Sequence, residues 1–358
     1  IESQPFLEAI RQVSLEQGKE NCLFIHVTLV PYLKSSGEHK SKPTQHSVKE
    51  LRTMGISPDI IVMRSDEPID EGIAEKISLF CNVKPDCVIE NKTLPVLYEA
   101  PLMLEKSRFS WIVCRELGIN AGPCEMTEWE AMVDRIKARK ECVRIAIVGK
   151  YVKLHDAYLS VAEALKHGGY ENGCHIDIKW VEAEDVNGDS VSQLLGDVDG
   201  ILVPGGFGDR GIEGKITAAG YAREERIPYF GICLGMQIAA IEFARGVLGL
   251  DDADSGEFSG TCDHKIIDFM PDQYGDIPKG GTMRLGAYPC VVTAGTIMER
   301  AYGTREISER HRHRYEFNNE YREAFEGNGM RIAGTSPDGR LVEAIELEDH
   351  PHYVGVQY

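Results

Sequence analysis

The sequence predicts an α/β protein made of two doubly wound, Rossmann-like parallel-sheet domains, and three observations lead there. Short β-branched runs alternate with amphipathic helical patterns through residues 1–125. A charged helical stretch without strand character follows at 126–142. A fresh strand, "VRIAIVG", restarts the alternation at Val143 and opens a second domain expected over 143–358. No internal repeat or low-complexity run interrupts either half.

Taken in order, residues 22–30 ("CLFIHVTLV") read as a strand and 43–55 as a helix, with Pro43 at its start and Gly55 at its end. Strands at 59–64 and 86–91 flank a helix at 71–83. Such short apolar runs, separated by helices, imply a parallel sheet covered on both faces. The stretch 127–141 is a charged amphipathic helix, with Thr127 as its expected cap. In the second domain, strands are expected at 143–151, 175–181, 199–206 and 227–233, and helices at 156–169, 190–196 and 211–225. From about Leu250 the chain is turn-rich, and only shorter strands are expected.

Composition narrows the function. Of 358 residues, 42% are apolar and 27% charged, and 57 acidic against 39 basic side chains leave a net charge of −18. That balance disfavours non-specific binding to nucleic acid or to an anionic membrane, although a few local cations could still hold a nucleotide. The ten cysteines are scattered singly, with no C-x-x-C pair and no zinc-ligand spacing. Reduced thiols in a cytoplasmic protein are the plain reading. No apolar run approaches the roughly 18 residues of a membrane span, and no signal peptide is expected. The chain opens on Ile1 and stops at "YVGVQY", so both ends read as cut.

Gly231-Ile232-Cys233-Leu234-Gly235 has the form of a strand–nucleophile–helix turn with cysteine in the nucleophile's place. The glycines suit a strained turn with close backbone approach, and a sulfur at a helix N-terminus is biased toward thiolate. A terminal dipole, at about 0.3–1 kcal/mol, is too weak to ionise a thiol whose pKa is about 8.5. A histidine oriented by a carboxylate is therefore required. One strand earlier, Pro204-Gly205-Gly206-Phe207-Gly208 can expose backbone N–H groups as an oxyanion hole. A plain turn and a phosphate cradle are the other readings, but no Gly-Lys-Ser/Thr follows to support the cradle. In the first domain, Lys40, Ser41, Lys42, Pro43, Thr44 and Gln45 stand where a helix begins, which suits either an anion site or a solvated basic loop.

The pair "PGGFG" and "GICLGMQ" resembles the class I glutamine amidotransferases, in which cysteine attacks the glutamine side-chain amide and releases ammonia through a thioester. The resemblance implies Cys233 as nucleophile, Gly206 and the Leu234 backbone near the oxyanion, and Leu234, Gly235, Met236 and Gln237 along bound L-glutamine. "IESQPFLEAIRQ", "KSKPTQHSVKEL", "FCNV", "GGTMRLG" and "ERHRHRYE", spread along the chain, further resemble the CTP synthase family. That family converts UTP to CTP with ATP and Mg²⁺. Carried across, Glu2, Lys40 to Gln45 and Lys76 would contact UTP or inhibitory CTP, and Lys92, Thr93 and Leu94 would contact ATP, mostly through backbone. Glu257 and Arg314 would hold the ammonium and carboxylate ends of glutamine. GTP as activator and a homotetramer are also implied.

By the same resemblance, residues 1–125 are the C-terminal part of the synthetase domain, and 143–358 an amidotransferase domain lacking its C-terminal end. The phosphate loop, the Mg²⁺ ligands and the triad's His-Pro-Glu element are then expected outside the chain, which alone is not expected to make CTP. No metal ligands are assigned within it. His311 and His313 alternate with arginines that oppose metal binding, and neither they, His350 nor His352 is assigned as base. Three rival readings are a different glutamine amidotransferase, a non-catalytic nucleotide-binding scaffold and a cysteine hydrolase of small esters. A GMP synthetase would need an Ser-Gly-Gly-Val-Asp-Ser loop, which does not occur.

Overall fold

The computed structural model describes residues 2–259, 261–269 and 283–358, which form two compact units, 1–138 and 139–358. Residues 280–282 of "GGTMRLG" lie outside the described residues.

The first unit opens with α1 (Gln4–Gln17), then β1 (Ile25–Leu29) and a small hairpin of β2 (Tyr32–Leu33) and β3 (Glu38–His39). After it come α2 (Lys42–Thr53), β4 (Ile60–Ser65), α3 (Glu71–Cys81), β5 (Val88–Lys92), α4 (Ala100–Lys106), α5 (Phe109–Glu116) and α6 (Thr127–Lys137). Strands β1, β4 and β5 pair in parallel in the order β1-β4-β5, with Val27 opposite Val62 and Val62 opposite Ile89. Central β4 is buried along nearly its whole length, as a continuous apolar run requires. Edge strand β1 departs from the expectation of a sheet covered on both faces. Its Ile25, Val27 and Leu29 point one way and are 41%, 62% and 61% exposed.

Helix α3 ends on Asn82 in the left-handed conformation. The start of α6 also differs from expectation. Its cap position is Met126, and the Glu125 carboxylate accepts from the Thr127 N–H (2.9 Å) and the Thr127 hydroxyl. Thr127 thus donates where it was expected to cap, because Glu125 supplies the stronger acceptor. Helix α6 is tied within its own unit, through Trp129 Nε1 to the Tyr98 carbonyl (2.7 Å) and Lys137 to Glu99 (2.6 Å).

The second unit begins with β6 (Glu141–Gly149), α7 (Leu159–Glu171), β7 (Cys174–Glu182), α8 (Val191–Leu195), β8 (Gly200–Val203), α9 (Ile212–Glu224), β9 (Tyr229–Ile232) and α10 (Leu234–Gly246). It continues with β10 (Asp254–Ser255), β11 (Lys265–Asp268), β12 (Arg284–Val292), α11 (Ile297–Tyr302), β13 (Glu306–His313) and β14 (Glu316–Phe317). Last are α12 (Arg322–Glu326), β15 (Met330–Thr335), β16 (Val342–Leu347) and β17 (Tyr353–Val356). The described strands form a nine-stranded sheet in the order β13-β12-β15-β16-β17-β9-β8-β6-β7. From β7 to β17 neighbours run parallel; from β17 through β16, β15 and β12 to β13 they run antiparallel. A small sheet, β10-β11-β14, lies apart from it.

The antiparallel extension corrects the expectation of only shorter strands after Leu250, since β12 spans nine residues and β13 eight. The reason is chemical. On β13 the inward residues at the carboxyl end are His311 and His313, both buried, while Arg310 and Arg312 face solvent. An alternation of one polar type with another carries no apolar period-2 pattern.

Candidate active site

Strand β9 lies inside the parallel part of the sheet and ends at Ile232; α10 begins at Leu234. Between them Cys233 adopts φ 53°, ψ −100°, a conformation that costs a non-glycine residue on the order of 1–3 kcal/mol. The surroundings enforce it. A Cβ on Gly231 would lie 2.5 Å from the Gly235 carbonyl, and one on Gly235 would lie 2.1 Å from the Val203 carbonyl oxygen. The Cys233 N–H donates to the Val356 carbonyl (2.7 Å), and the Tyr229 hydroxyl donates to the Gly235 carbonyl (2.8 Å). Sheet, turn and helix are locked around one strained cysteine.

The glycine loop after β8 runs beside it. A Cβ on Gly205 would come 3.6 Å from Cys233 Cβ, and one on Gly206 would come 3.4 Å from a Leu234 methyl. Lys150 Nζ donates to the Phe207 carbonyl, and the Gly208 N–H donates to Glu257 Oε1 (3.2 Å), so Glu257 is drawn to this loop. Leu234, Met236 and Gln237 are buried, and Gly355 packs on Met236 so closely that a Cβ there would lie 2.9 Å from Met236 Cβ. The Leu234 and Met236 side chains therefore belong to the core, and only their backbone is available to a ligand. Gln237 Nε2 is committed internally, donating to the Tyr315 carbonyl (3.2 Å) and to Gln357 Oε1 (3.3 Å). Arg314, half-buried, directly precedes that carbonyl-bearing residue at the corner between β13 and β14.

The thiol is partly open to solvent but crowded by protein atoms, and burial pushes its pKa up to about 11 against the lowering effect of the Leu234 N–H. Glu257 and Glu316 push it further up, while Gln357, whose Nε2 lies 3.7 Å from Sγ, lowers it. The helix N-terminus therefore does not by itself produce a thiolate, and among the described residues no cation stands with the groups that shift the thiol most.

The histidines considered from sequence are engaged elsewhere. His311 Nε2 pairs with Glu343 Oε2 at 2.8 Å, and His313 Nδ1 donates to the Tyr315 carbonyl at 3.2 Å. His350 Nε2 donates to the Ala222 carbonyl (3.1 Å), and its Nδ1 accepts the His352 N–H (3.2 Å).

In the first unit, Lys40 Nζ meets Glu38 at 2.5 Å, and the charge of Lys76 on α3 reaches the same carboxylate. The Lys40 ammonium, with smaller help from Ser36 and then Lys76, holds the Glu38 pKa below the ordinary carboxylate value. Ser41 precedes α2, where Gln45 Nε2 donates to its hydroxyl (3.2 Å); Lys42 and Pro43 are exposed. Thr44 is fully buried with its hydroxyl 3.0 Å from that of Thr28, so it can offer a ligand only backbone. Glu2 is exposed, just ahead of α1. Lys92 and Leu94 line a cavity of about 730 Å³ with Leu102, Met103, Val133 and several carboxylates, while Thr93 ties back to Asp66 (2.6 Å). Among the described residues no group of three or more His, Cys, Asp or Glu side chains converges.

Comparisons with known proteins bear on both units. Residues 1–119 match the family described as CTP synthase N-terminus, and residues 153–358 match glutamine amidotransferase class-I. The CTP synthases of Ruminiclostridium cellulolyticum and Geobacillus kaustophilus are 58% and 56% identical over all 358 residues, covering 67% of each relative. The chain belongs to the CTP synthase family. It is a ligase with a class I glutamine amidotransferase module. The solved glutaminase domain of Trypanosoma brucei CTPS, with bound acivicin, is 39% identical, with a TM-score of 0.57 over 60% of this chain and 85% of that one.

Within this CTP synthase fold, sequence reasoning passed over Lys150, Tyr315, Glu316 and Gln357, all of which reach the loop, the thiol or α10. Gln357 carried the one usable cue, a polar residue closing an apolar strand whose neighbours are buried.

Proposed function

We propose that this chain takes part in the ATP-dependent amination of UTP to CTP, with Cys233 as the nucleophile that frees ammonia from L-glutamine. The observation that carries the reading is Cys233 itself, strained at the turn from β9 to α10 with a glycine loop alongside. In this reading Sγ attacks the side-chain amide carbon, and loop and Leu234 N–H groups, Gly206 included, receive the developing oxyanion. Ammonia leaves, and water hydrolyses the resulting thioester. Glu257 and Arg314 grip the amino and carboxylate ends of glutamine, for which their charges fit. The backbone of Leu234, Gly235 and Met236 borders the substrate, and Gln237 braces the turn.

Lys40 to Gln45, Lys76 and Glu2 receive UTP or CTP. The lysines and the α2 N-terminus supply positive potential to a triphosphate. Lys92, Thr93 and Leu94 serve ATP through main chain and the Lys92 ammonium. Mg²⁺ neutralises the nucleotide phosphates when bound. GTP activation, a homotetramer and a cytoplasmic location complete the reading, by kinship with the family.

The test is Cys233→Ala in the whole enzyme. Glutamine-supported CTP formation is expected to fall by at least about 10³-fold, with ammonia-supported formation kept within about twofold. Equal loss from both nitrogen sources would remove Cys233 from the glutaminase step.

A further inference from the structure

Arg284 of β12, His311 and His313 of β13, Glu316 of β14 and Glu343 of β16 form a buried polar cluster, each residue less than a tenth exposed. Arg284 holds Glu343 with both terminal nitrogens, at 2.8 and 3.2 Å, and His311 adds a third bond at 2.8 Å. Glu316 receives far less. One nitrogen of Arg284 reaches its Oε1 at 3.2 Å, His313 Nδ1 stands 3.5 Å away, and its buried Oε2 has no hydrogen-bond partner among the described residues. His311, whose Nδ1 faces the Glu309 carbonyl at 3.0 Å and whose Nε2 faces Glu343, serves Glu343 together with both arms of Arg284, while Glu316 shares one arm of that guanidinium in a nearly dry site, where a poorly paired anion is costly. The proton belongs on Glu316, the carboxylate with fewer donors. Its pKa agrees: burial pushes it up to about 8, whereas hydrogen bonds from His311 and Arg284 overcome burial and lower that of Glu343.

His313 cannot quench a charge on Glu316. Its Nδ1 must be the protonated nitrogen, because the Tyr315 carbonyl only accepts, and burial holds the ring neutral with a pKa near 3. The cluster also reaches the thiol. The same Tyr315 carbonyl accepts from Gln237 on α10, Gln237 contacts Gln357, and Gln357 Nε2 points at Cys233 Sγ. The charged groups that act most on Cys233 are Glu257 and Glu316; those facing Glu316 are Arg284, Glu343 and His313.

We propose that Glu316 is held as an un-ionised acid and is a positioning residue for Cys233, keeping a buried negative charge from opposing the thiolate so that the thiol can ionise. Alkaline pH strips this proton to solvent and turns Glu316 into an opponent of the thiolate. The proposal rests on Cys233 being the nucleophile.

The experiment follows iodoacetamide alkylation of Cys233, read by mass spectrometry of its peptide, from about pH 6.5 to pH 10.5 in the wild-type chain and in Glu316→Gln. Glutamine at that position copies the neutral acid but cannot ionise. The variant is expected to alkylate at least about threefold faster than wild type above about pH 8.5 and to converge with it below about pH 7.5. Superimposable profiles, or a variant slower at every pH, overturn the proposal, since a merely structural role would not move the titration. If the variant does not fold, infrared spectra of the wild type decide. The carbonyl band of a buried un-ionised carboxyl must be present at neutral pH and vanish over the range where the Cys233 profile breaks; absence of the band or the break overturns the proposal. A glutamine-analogue affinity label separates the two readings. Failure to label Cys233 sinks the glutaminase assignment, while the alkylation profile still reports on Glu316.

Discussion

At the scale of single residues, the site is governed by atoms that are absent. Gly235 has no Cβ because the Val203 carbonyl oxygen occupies the place where one would stand, 2.1 Å away. Gly235→Ala must therefore push α10 off β8. It is expected to destabilise the second unit by about 2–3 kcal/mol, measured by urea unfolding, and to reduce Cys233 labelling by a glutamine analogue more than tenfold. Thr44 makes the opposite point. It stands in a basic, helix-opening stretch, yet its hydroxyl is buried against Thr28. Thr44→Val should cost about 1–2 kcal/mol of stability in the first unit while changing nucleotide affinity by less than about threefold. Calorimetric titration with UTP checks the second half of that statement. Which polar side chains face inward is a matter of packing partners, and Thr28 stands sixteen residues away in sequence.

Strands β12, β13, β14 and β16 bring Arg284, His311, His313, Glu316 and Glu343 together, and titration of this group is an element-scale property. Folding raises the pKa of Glu316, so its stabilising contribution is fully present below the unfolded glutamate value and is lost as pH rises toward about 8. Between those limits the native state holds one more proton at Glu316 than the unfolded chain does. Wild type should therefore gain on Glu316→Gln by about 1.4 kcal/mol for each unit that pH falls from about 7.5 to 5. His313 runs the other way. Burial depresses its pKa, so its contribution is lost as pH falls below the ordinary histidine value, and that loss is common to both proteins and cancels in the comparison. Urea unfolding of both proteins at several pH values measures the gap; a pH-independent gap would show Glu316 ionised throughout. None of this was legible along β13, where histidine alternates with arginine and no apolar period marks the inward face.

For the whole molecule, the net charge of −18 sets the long-range field. It predicts no retention on heparin or duplex DNA even at low salt, checked by affinity chromatography, because clustered cations would be needed to release counterions. Local fields can differ from this one: Lys40 and Lys76 both act on Glu38 in the first unit.

The periodicity of the chain is enough to determine two α/β units, their parallel strands and the elbow at Cys233, because apolar runs, helix stops and a Gly-x-Cys-x-Gly turn are short-range features written in consecutive residues. Its motifs likewise determined the family. Only the tertiary structure decided the antiparallel half of the second sheet, the burial of Thr44 and Gln237, and the presence of an extra carboxyl group in reach of the thiol. Those depend on which distant strands become neighbours, and on whether water or protein surrounds a polar group once they have.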